Sequence, residues 1–313
     1  MPFSERQLPS RRCLYGAAFA FSLAVCGCSS LSKPKIIPDS IAACRELAQR
    51  GASAMEMGDS VEAERLLAGA VESEPTDVEA RRHLAEAMWA NGDRSEAVLH
   101  METAMQLAPG HPGTVVRVGE MQLALGQTRG AEQRAEEALA LAPTMPEAWA
   151  LRGRVFRELG EPKRSLADLQ QSLAYAPHNK SVLQDVASLQ FELKRPRRCL
   201  STLHSLLDGY PHGEEPRDAL WLEGLAYGAL DRHSDAAKSL AEATQRGNPP
   251  AELLYHLAMA SNQCGDAAQA ADAAERALAT DASHGPSQVL LASLRADGTR
   301  GNAVRTASGT ILR

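Results

Sequence analysis

The chain has 313 residues, with 33 Lys and Arg against 39 Asp and Glu, a formal net charge of −6 and only 4% aromatic residues. That surplus of acid leaves no basic face to neutralise phosphates and excludes nucleic acid as a partner class. Alanine is abundant and runs of Val, Ile and Thr at period two are hard to find, which disfavours extended sheet and predicts an all-α chain.

Residues 1–27 have the make-up of an export signal: a basic start ending in Arg11 and Arg12, an apolar stretch from Cys13 to Val25, then small residues. The stretch is short for a bilayer span, which needs about 20 apolar residues. A buried N-terminal helix would leave Phe19, Phe21, Leu23 and Val25 apolar on all sides with no pattern to match a partner, so a cleaved signal is expected. The "VCGC" at Val25 to Cys28 resembles a bacterial lipobox. That resemblance implies cleavage after Gly27 and a lipid on Cys28, although Cys26 and Val25 depart from the usual residues of the motif. Cys26 is the poorer acceptor, because it would put Val25 where a small residue is wanted. "SRRCLY", Ser10 to Tyr15, also resembles a loose twin-arginine signal, so both export routes stay open.

Residues 28–39 then form anchor and tether, and several acyl chains at about 0.8 kcal/mol per buried CH₂ would hold the protein on a membrane. In lipoproteins of this kind Ser rather than Asp after the acceptor points to the outer membrane, facing the periplasm, where the source has two membranes.

From there a period organises the chain. Pro75, Pro109, Pro143, Pro177 and Pro211 stand 34 residues apart. Seventeen residues before the first four come Gly58, Gly92, Gly126 and Gly160, with Lys194 in the fifth place. Twelve before each proline come Ala63, Ala97, Ala131, Ser165 and Cys199, and five before come Ala70, Ala104, Ala138, Ser172 and Leu206. This pattern resembles the tetratricopeptide repeat, a 34-residue pair of antiparallel helices. The family frame wants small residues at 8, 20 and 27, Gly at 15 and Pro at 32. Position 8 reads Gly51, Ala85, Gly119, Gly153, Ala187, Gly224 and Ala258.

The resemblance implies a right-handed superhelical solenoid of about seven repeats, at 44–77, 78–111, 112–145, 146–179, 180–213, 217–250 and 251–284, in a repeat domain spanning 40–284. Small residues let the two helices approach closely, and each unit buries its apolar face against its neighbours. Gly at 15 tolerates the positive φ that ends the first helix, and Pro at 32 cannot continue the second.

The ends and one join are irregular. Asp39 and Ser40 are expected to cap the first helix. Residues 285–297 predict one further helix over the last repeat, and residues 298–313 a disordered tail. Repeat five lacks the turn glycine, carries Leu206 where a small residue is expected, and contains "KRPRR" at Lys194 to Arg198. Glu214 to Pro216 are inserted after it, so a hinge or altered twist is expected there.

No catalytic pattern emerges: HExxH, GxSxG, GxxxxGK and GxGxxG are all absent, and the expectation is no enzyme, no cofactor and no metal. His111, His178, His212 and His284 fall in the loops between repeats, where capping or exposure is expected. Cys44, Cys199 and Cys264 are read as buried small hydrophobes.

The groove is the expected site. In tetratricopeptide proteins positions 2, 5, 9 and 12 of the first helices line the concave face, which carries over here to Arg82, Glu86 and Trp89, then Val116, Glu120 and Leu123 with Arg117 beside them. Arg154 and Arg157, Gln184 and Phe191, Trp221 and Leu225, and Tyr255, Met259 and Asn262 continue the row. The carboxylate clamp of the chaperone-binding members is not matched in any three consecutive repeats. Aromatic and Arg side chains are those most often found as binding hot spots, so the expected partners are peptide or helical segments of proteins, bound during assembly of a cell-envelope complex. Pilotins, which escort secretin subunits to the outer membrane, share this combination of anchor and repeats. The alternative is a regulator or tether for an envelope enzyme or the cell wall, working through the charges of Arg154, Arg157 and Glu158.

Overall fold

A computed structural model describes residues 39–296. Every described residue but Asp39 falls in one compact unit, which begins at Ser40. The export signal, Cys28 and the tail at 298–313 lie outside the described residues. So does the tether up to residue 38.

Every regular element among the described residues is an α-helix. First helices α1 (Asp39–Glu56), α3 (Val78–Asn91), α5 (Pro112–Ala124), α7 (Pro146–Glu158), α9 (Lys180–Glu192), α11 (Arg217–Gly228) and α13 (Ala251–Gln263) alternate with second helices. The second helices are α2 (Ser60–Ser73), α4 (Arg94–Leu107), α6 (Thr128–Leu141), α8 (Pro162–Tyr175), α10 (Pro196–Leu207), α12 (His233–Thr244) and α14 (Ala267–Thr280). A further helix, α15, covers residues 285–296. From α2 to α14 each helix packs on the next, and α5 also touches α7, α9 touches α11 and α11 touches α13. The first helices therefore lie side by side along one face of an all-α solenoid. No helix of the described residues is long and apolar enough to cross a membrane.

Four sequence places set this geometry. The residues at position 20 (Ala63, Ala97, Ala131, Ser165, Cys199) and at position 27 (Ala70, Ala104, Ala138, Ser172, Leu206) all have no solvent exposure. They are the points where second helices press on first ones. At position 8 the approach is closest: a Cβ on Gly224 would stand 2.5 Å from Leu240 Cγ, where no carbon can sit. At position 15 all seven residues are left-handed, the five glycines together with Lys194 at φ 59° and Asp231 at φ 58°. The turn thus keeps its shape even where Gly is missing.

The join between repeats is also periodic. The side chain at position 4 reaches back six residues to the carbonyl at the proline place: Arg81 donates to Pro75 O at 2.6 Å, Trp149 to Pro143 O at 2.8 Å and Gln288 to Ala282 O at 2.8 Å. Gln288 belongs to α15, so that helix docks as the first helix of an eighth unit would. His111 accepts from the Thr114 backbone N–H, and His284 contacts Ser287 Oγ. His178 and His212 are exposed. These are the capping and surface roles expected of loop histidines.

Two local expectations are corrected. Helix α1 already includes Asp39 and Ser40, so neither is its cap; Asp39 instead stands in the first turn, where a carboxylate favours the positive end of the helix dipole. Cys44 and Cys199 are buried, and burial, with Glu223 adding to it, pushes the Cys199 thiol up to about 12. Cys264 is exposed, because it ends α13 beside the turn place, where its thiol donates to Ser261 O at 3.3 Å. Leu206 is buried despite its size, since it shares its core cluster with the small Ala219 and Ala226 of the next repeat.

The inserted residues after repeat five are tied down. Glu215 accepts from Gly213 N at 2.8 Å and from Arg246 at 2.7 Å. Hydrogen bonds from its own backbone N–H and from Arg246 hold its carboxyl below the usual range.

Candidate functional site on the first-helix face

The expected groove residues all stand on first helices. Arg82, Glu86, Trp89, Arg117, Glu120, Leu123, Arg154, Arg157, Gln184, Phe191, Trp221, Leu225, Tyr255 and Met259 are all half-buried, and Asn262 is exposed. Val116 does not belong with them: it is 4% exposed and packs with Ala131, Ala135 and Leu151. Ala150, at the same place in repeat four, is buried too. Position 5 is rooted in the core, so only a long side chain there, such as Arg82 or Trp221, emerges onto the face.

Two stretches differ in chemistry. Between α3 and α9 the charges are paired from repeat to repeat. Arg117 meets Glu86 with two hydrogen bonds of 2.7 Å and reaches Glu120 at 3.1 Å. The bond to Glu86 is the main reason its guanidinium holds its proton above the ordinary arginine value. Arg154 donates to Asp185 at 2.8 Å and to Ser181 at 2.7 Å, and Arg157 pairs with Glu192. Trp89 sits with the Arg94 and Arg117 guanidiniums 5.4 and 5.7 Å from its ring centre, within cation–π range. A cavity of about 450 Å³ opens here between Glu120, Leu123, Leu151, Arg154 and Glu158.

Between α11 and α15 the face is aromatic. Trp221 donates through Nε1 to His256 Nδ1 at 3.1 Å, which fixes the imidazole with its own proton on Nε2, toward Glu252 Oε1 at 3.5 Å. Tyr255 lies between His256 and His284, tilted to the first and edge-on to the second, with ring centres 5.6 Å away on each side. His284 Nε2 meets Glu252 at 2.8 Å. Burial lowers the His256 pKa; His284 pushes the same way and Glu252 opposes them. A cavity of about 370 Å³ adjoins this cluster, lined by Leu225, Tyr255, His256 and Met259 among others.

Sequence reasoning missed Asp185, Glu192 and His256. The signal was present in the repeat frame: Glu86 and Arg154 stand at position 9, and their partners Arg117 and Asp185 stand 31 residues on, at position 6 of the next repeat. Among the described residues no group of three or more His, Cys, Asp or Glu side chains is placed to hold a metal ion.

Family models described as tetratricopeptide repeat match residues 54–99, 88–155 and 221–286, together more than half of the chain. The chain belongs to the tetratricopeptide repeat family. A tetratricopeptide repeat protein from Parabacteroides merdae is similar over 81% of this chain and 99% of its own, at 17% identity and a TM-score of 0.56. Pseudomonas aeruginosa pilF aligns over 66% of this chain and 92% of its own, at 17% identity and a TM-score of 0.58. In the Cut9–Hcn1 assembly, a component of the APC/C, a chain aligns with 79% of this one over 48% of its length, at 14% identity and a TM-score of 0.62. At these identities the likeness establishes the tetratricopeptide fold. No curated protein sequence matches the chain.

Proposed function

We propose that this tetratricopeptide protein is a membrane-anchored scaffold whose first-helix face binds peptide or helical segments of partner proteins during assembly of a cell-envelope complex, in the manner of a pilotin. Tetratricopeptide folds bind protein or peptide partners as a class, which gives the coarse reading. The observation that carries the finer one is the aromatic stretch: Tyr255 and Met259 are half-buried and line an open cavity, and Trp221, also half-buried, bonds His256 of the same lining, the state in which an amphipathic segment gains apolar contact without first unfolding anything. The anchor is a lipid on Cys28, and the protein faces the periplasm from the outer membrane. It has no catalytic role. The alternative, a tether for the cell wall or an envelope enzyme, relied on the charges of Arg154 and Arg157, and these are already engaged by Asp185 and Glu192.

Crosslinking in cells, read by mass spectrometry, tests the groove. Substituting Trp89→Ala and Trp221→Ala together should lose one defined envelope protein from the wild-type set. If the same set persists, the first-helix face is not the working surface. For the anchor, Cys28→Ala should abolish incorporation of labelled palmitate and release the protein from the membrane fraction.

A further inference from the structure

The fifth repeat carries a second surface. Lys194, Arg197 and Arg198 are exposed and Arg195 is half-buried. Among the described residues none of these four side chains has an ion pair or hydrogen bond, whereas the arginines of the first-helix face are each matched to a carboxylate. Two cavities open around the four cations. One, of about 420 Å³, is lined by Lys194, Arg195, Arg197, Arg198 and Leu230. The other, of about 530 Å³, shares Arg197 and Leu230 and adds Leu200, Ser201, His204 and Arg232.

The two walls come from different repeats. Arg197, Ser201 and His204 fall at i, i+4 and i+7, one stripe of α10, and Leu230 and Arg232 come from the turn between α11 and α12. Neither cavity uses a residue of the groove. Two of the lining groups are already held: Arg232 pairs with Asp235 at 2.7 Å, and His204 meets Glu223 at 3.2 Å. The uncompensated charge is therefore that of residues 194–198, set over an apolar floor of Leu200 and Leu230.

We infer that this junction of the fifth and sixth repeats is a docking site for an acidic segment of a partner protein, with carboxylates on Arg197, Arg198 and Lys194 and an apolar side chain seated between Leu200 and Leu230. Charge complementarity selects the class: four unmatched cations in five residues, on a body that is otherwise acidic, attract an anion. Shape selects a segment over a membrane. A headgroup layer is flat and meets protruding side chains, whereas these cations rim concavities. None of the large exposed hydrophobic residues, such as Met57, Val61, Leu99 or Val289, lies in the patch to enter an acyl layer.

The probe is a fluorescein-labelled peptide with Glu-Glu-Leu-Glu-Glu between Gly-Ser arms, titrated by anisotropy onto the full chain. Its Gln-for-Glu counterpart and vesicles containing phosphatidylglycerol serve as parallel arms. Binding is expected to weaken about tenfold in the double variant Arg197→Gln, Arg198→Gln, and also between about 50 and about 300 mM salt. Trp221→Ala should leave it unchanged. Both arginines are exposed, so an unaltered melting curve verifies the fold. Equal binding of the Gln peptide, no binding of the Glu peptide, or loss in Trp221→Ala but not in the arginine pair each overturns the inference. Vesicle binding without peptide binding also overturns it and assigns the patch to a membrane surface.

Discussion

The first-helix face contains two stretches built on opposite principles. From α3 to α9 it is knitted by charge: Glu86 to Arg117 joins the second repeat to the third and Arg154 to Asp185 the fourth to the fifth, at 2.7 and 2.8 Å. From α11 to α15 it is knitted by rings, with Trp221, His256, Tyr255 and His284 in one chain of contacts. The solenoid is the same in both. What differs is how each stretch answers to solvent conditions and what a ligand must displace. Paired charges roughly a third exposed are already satisfied, so a ligand there has to outbid an existing partner. Half-buried rings beside a cavity keep apolar surface that only a ligand can cover.

The largest effect should come from breaking the aromatic stretch. Trp221→Ala removes a half-buried indole and leaves His256 Nδ1 without its donor, for an expected loss of about 2–3 kcal/mol, below the range for a fully buried Trp. Because repeat stability is a sum over units and interfaces, urea unfolding followed by hydrogen exchange should place that loss in α11 to α15. A loss spread evenly over all repeats would contradict a local cluster.

Arg117→Ala is the matching test of the charged stretch. It leaves Glu86 and Glu120 facing each other without their cation, for about 1.5 kcal/mol. Raising salt to about 1 M, where the Debye length falls to about 3 Å, should shrink this difference and leave the cost of Trp221→Ala unchanged. Equal salt responses would erase the distinction between the two stretches.

These same residues show how far the sequence could be read. Turn and packing places were legible because their causes are local: a left-handed φ at Gly58 or Gly92 and a close approach at Gly224 are demanded one residue at a time. The row of lining places came from the family resemblance, and one of its members is corrected. Val116 sits at a lining position, but its side chain is too short to leave the core. The ion pairs were hidden because they span 31 residues and appear only when position 9 of one repeat is compared with position 6 of the next. The Trp221 to His256 bond was hidden for the same reason, at a separation of 35 residues. The basic run was visible in sequence; that it has no partner among the described residues was not.

Acid separates the two stretches again, with a smaller effect. His256 has its pKa lowered mainly by burial, so between that lowered value and the ordinary value near 6.5 the unfolded chain binds the extra proton. Stability therefore falls as pH drops below about 6.5, by at most about 1.4 kcal/mol by pH 5.5. The groups facing His256 are Trp221, Tyr255, Glu252 and His284. Protonation at Nδ1 also ends its role as acceptor for Trp221. His256→Gln should reduce the drop and leave only the share of His100, whose pKa is also lowered by burial, whereas Arg117→Ala should retain it in full, as read from urea midpoints at pH 7 and 5.5.

The smallest expected effect lies at the join between the stretches. Lys194 and Asp231 occupy the turn place in left-handed backbone, at φ 59° and 58°, which costs a residue with a Cβ about 1–2 kcal/mol. Lys194→Gly relieves that strain but gives the unfolded chain more freedom, a loss of about 0.5–1 kcal/mol. A net gain of about 0.5 kcal/mol is expected, with Asp231→Gly similar, as shifts in urea midpoint at constant slope. The two variants part in binding: Lys194→Gly removes one of the four unpaired cations and should weaken the acidic peptide, whereas Asp231→Gly removes none of them. A Lys194→Gly variant that is stabilised and binds the peptide undiminished would show that Lys194 shapes the turn without contributing to the charge of the patch.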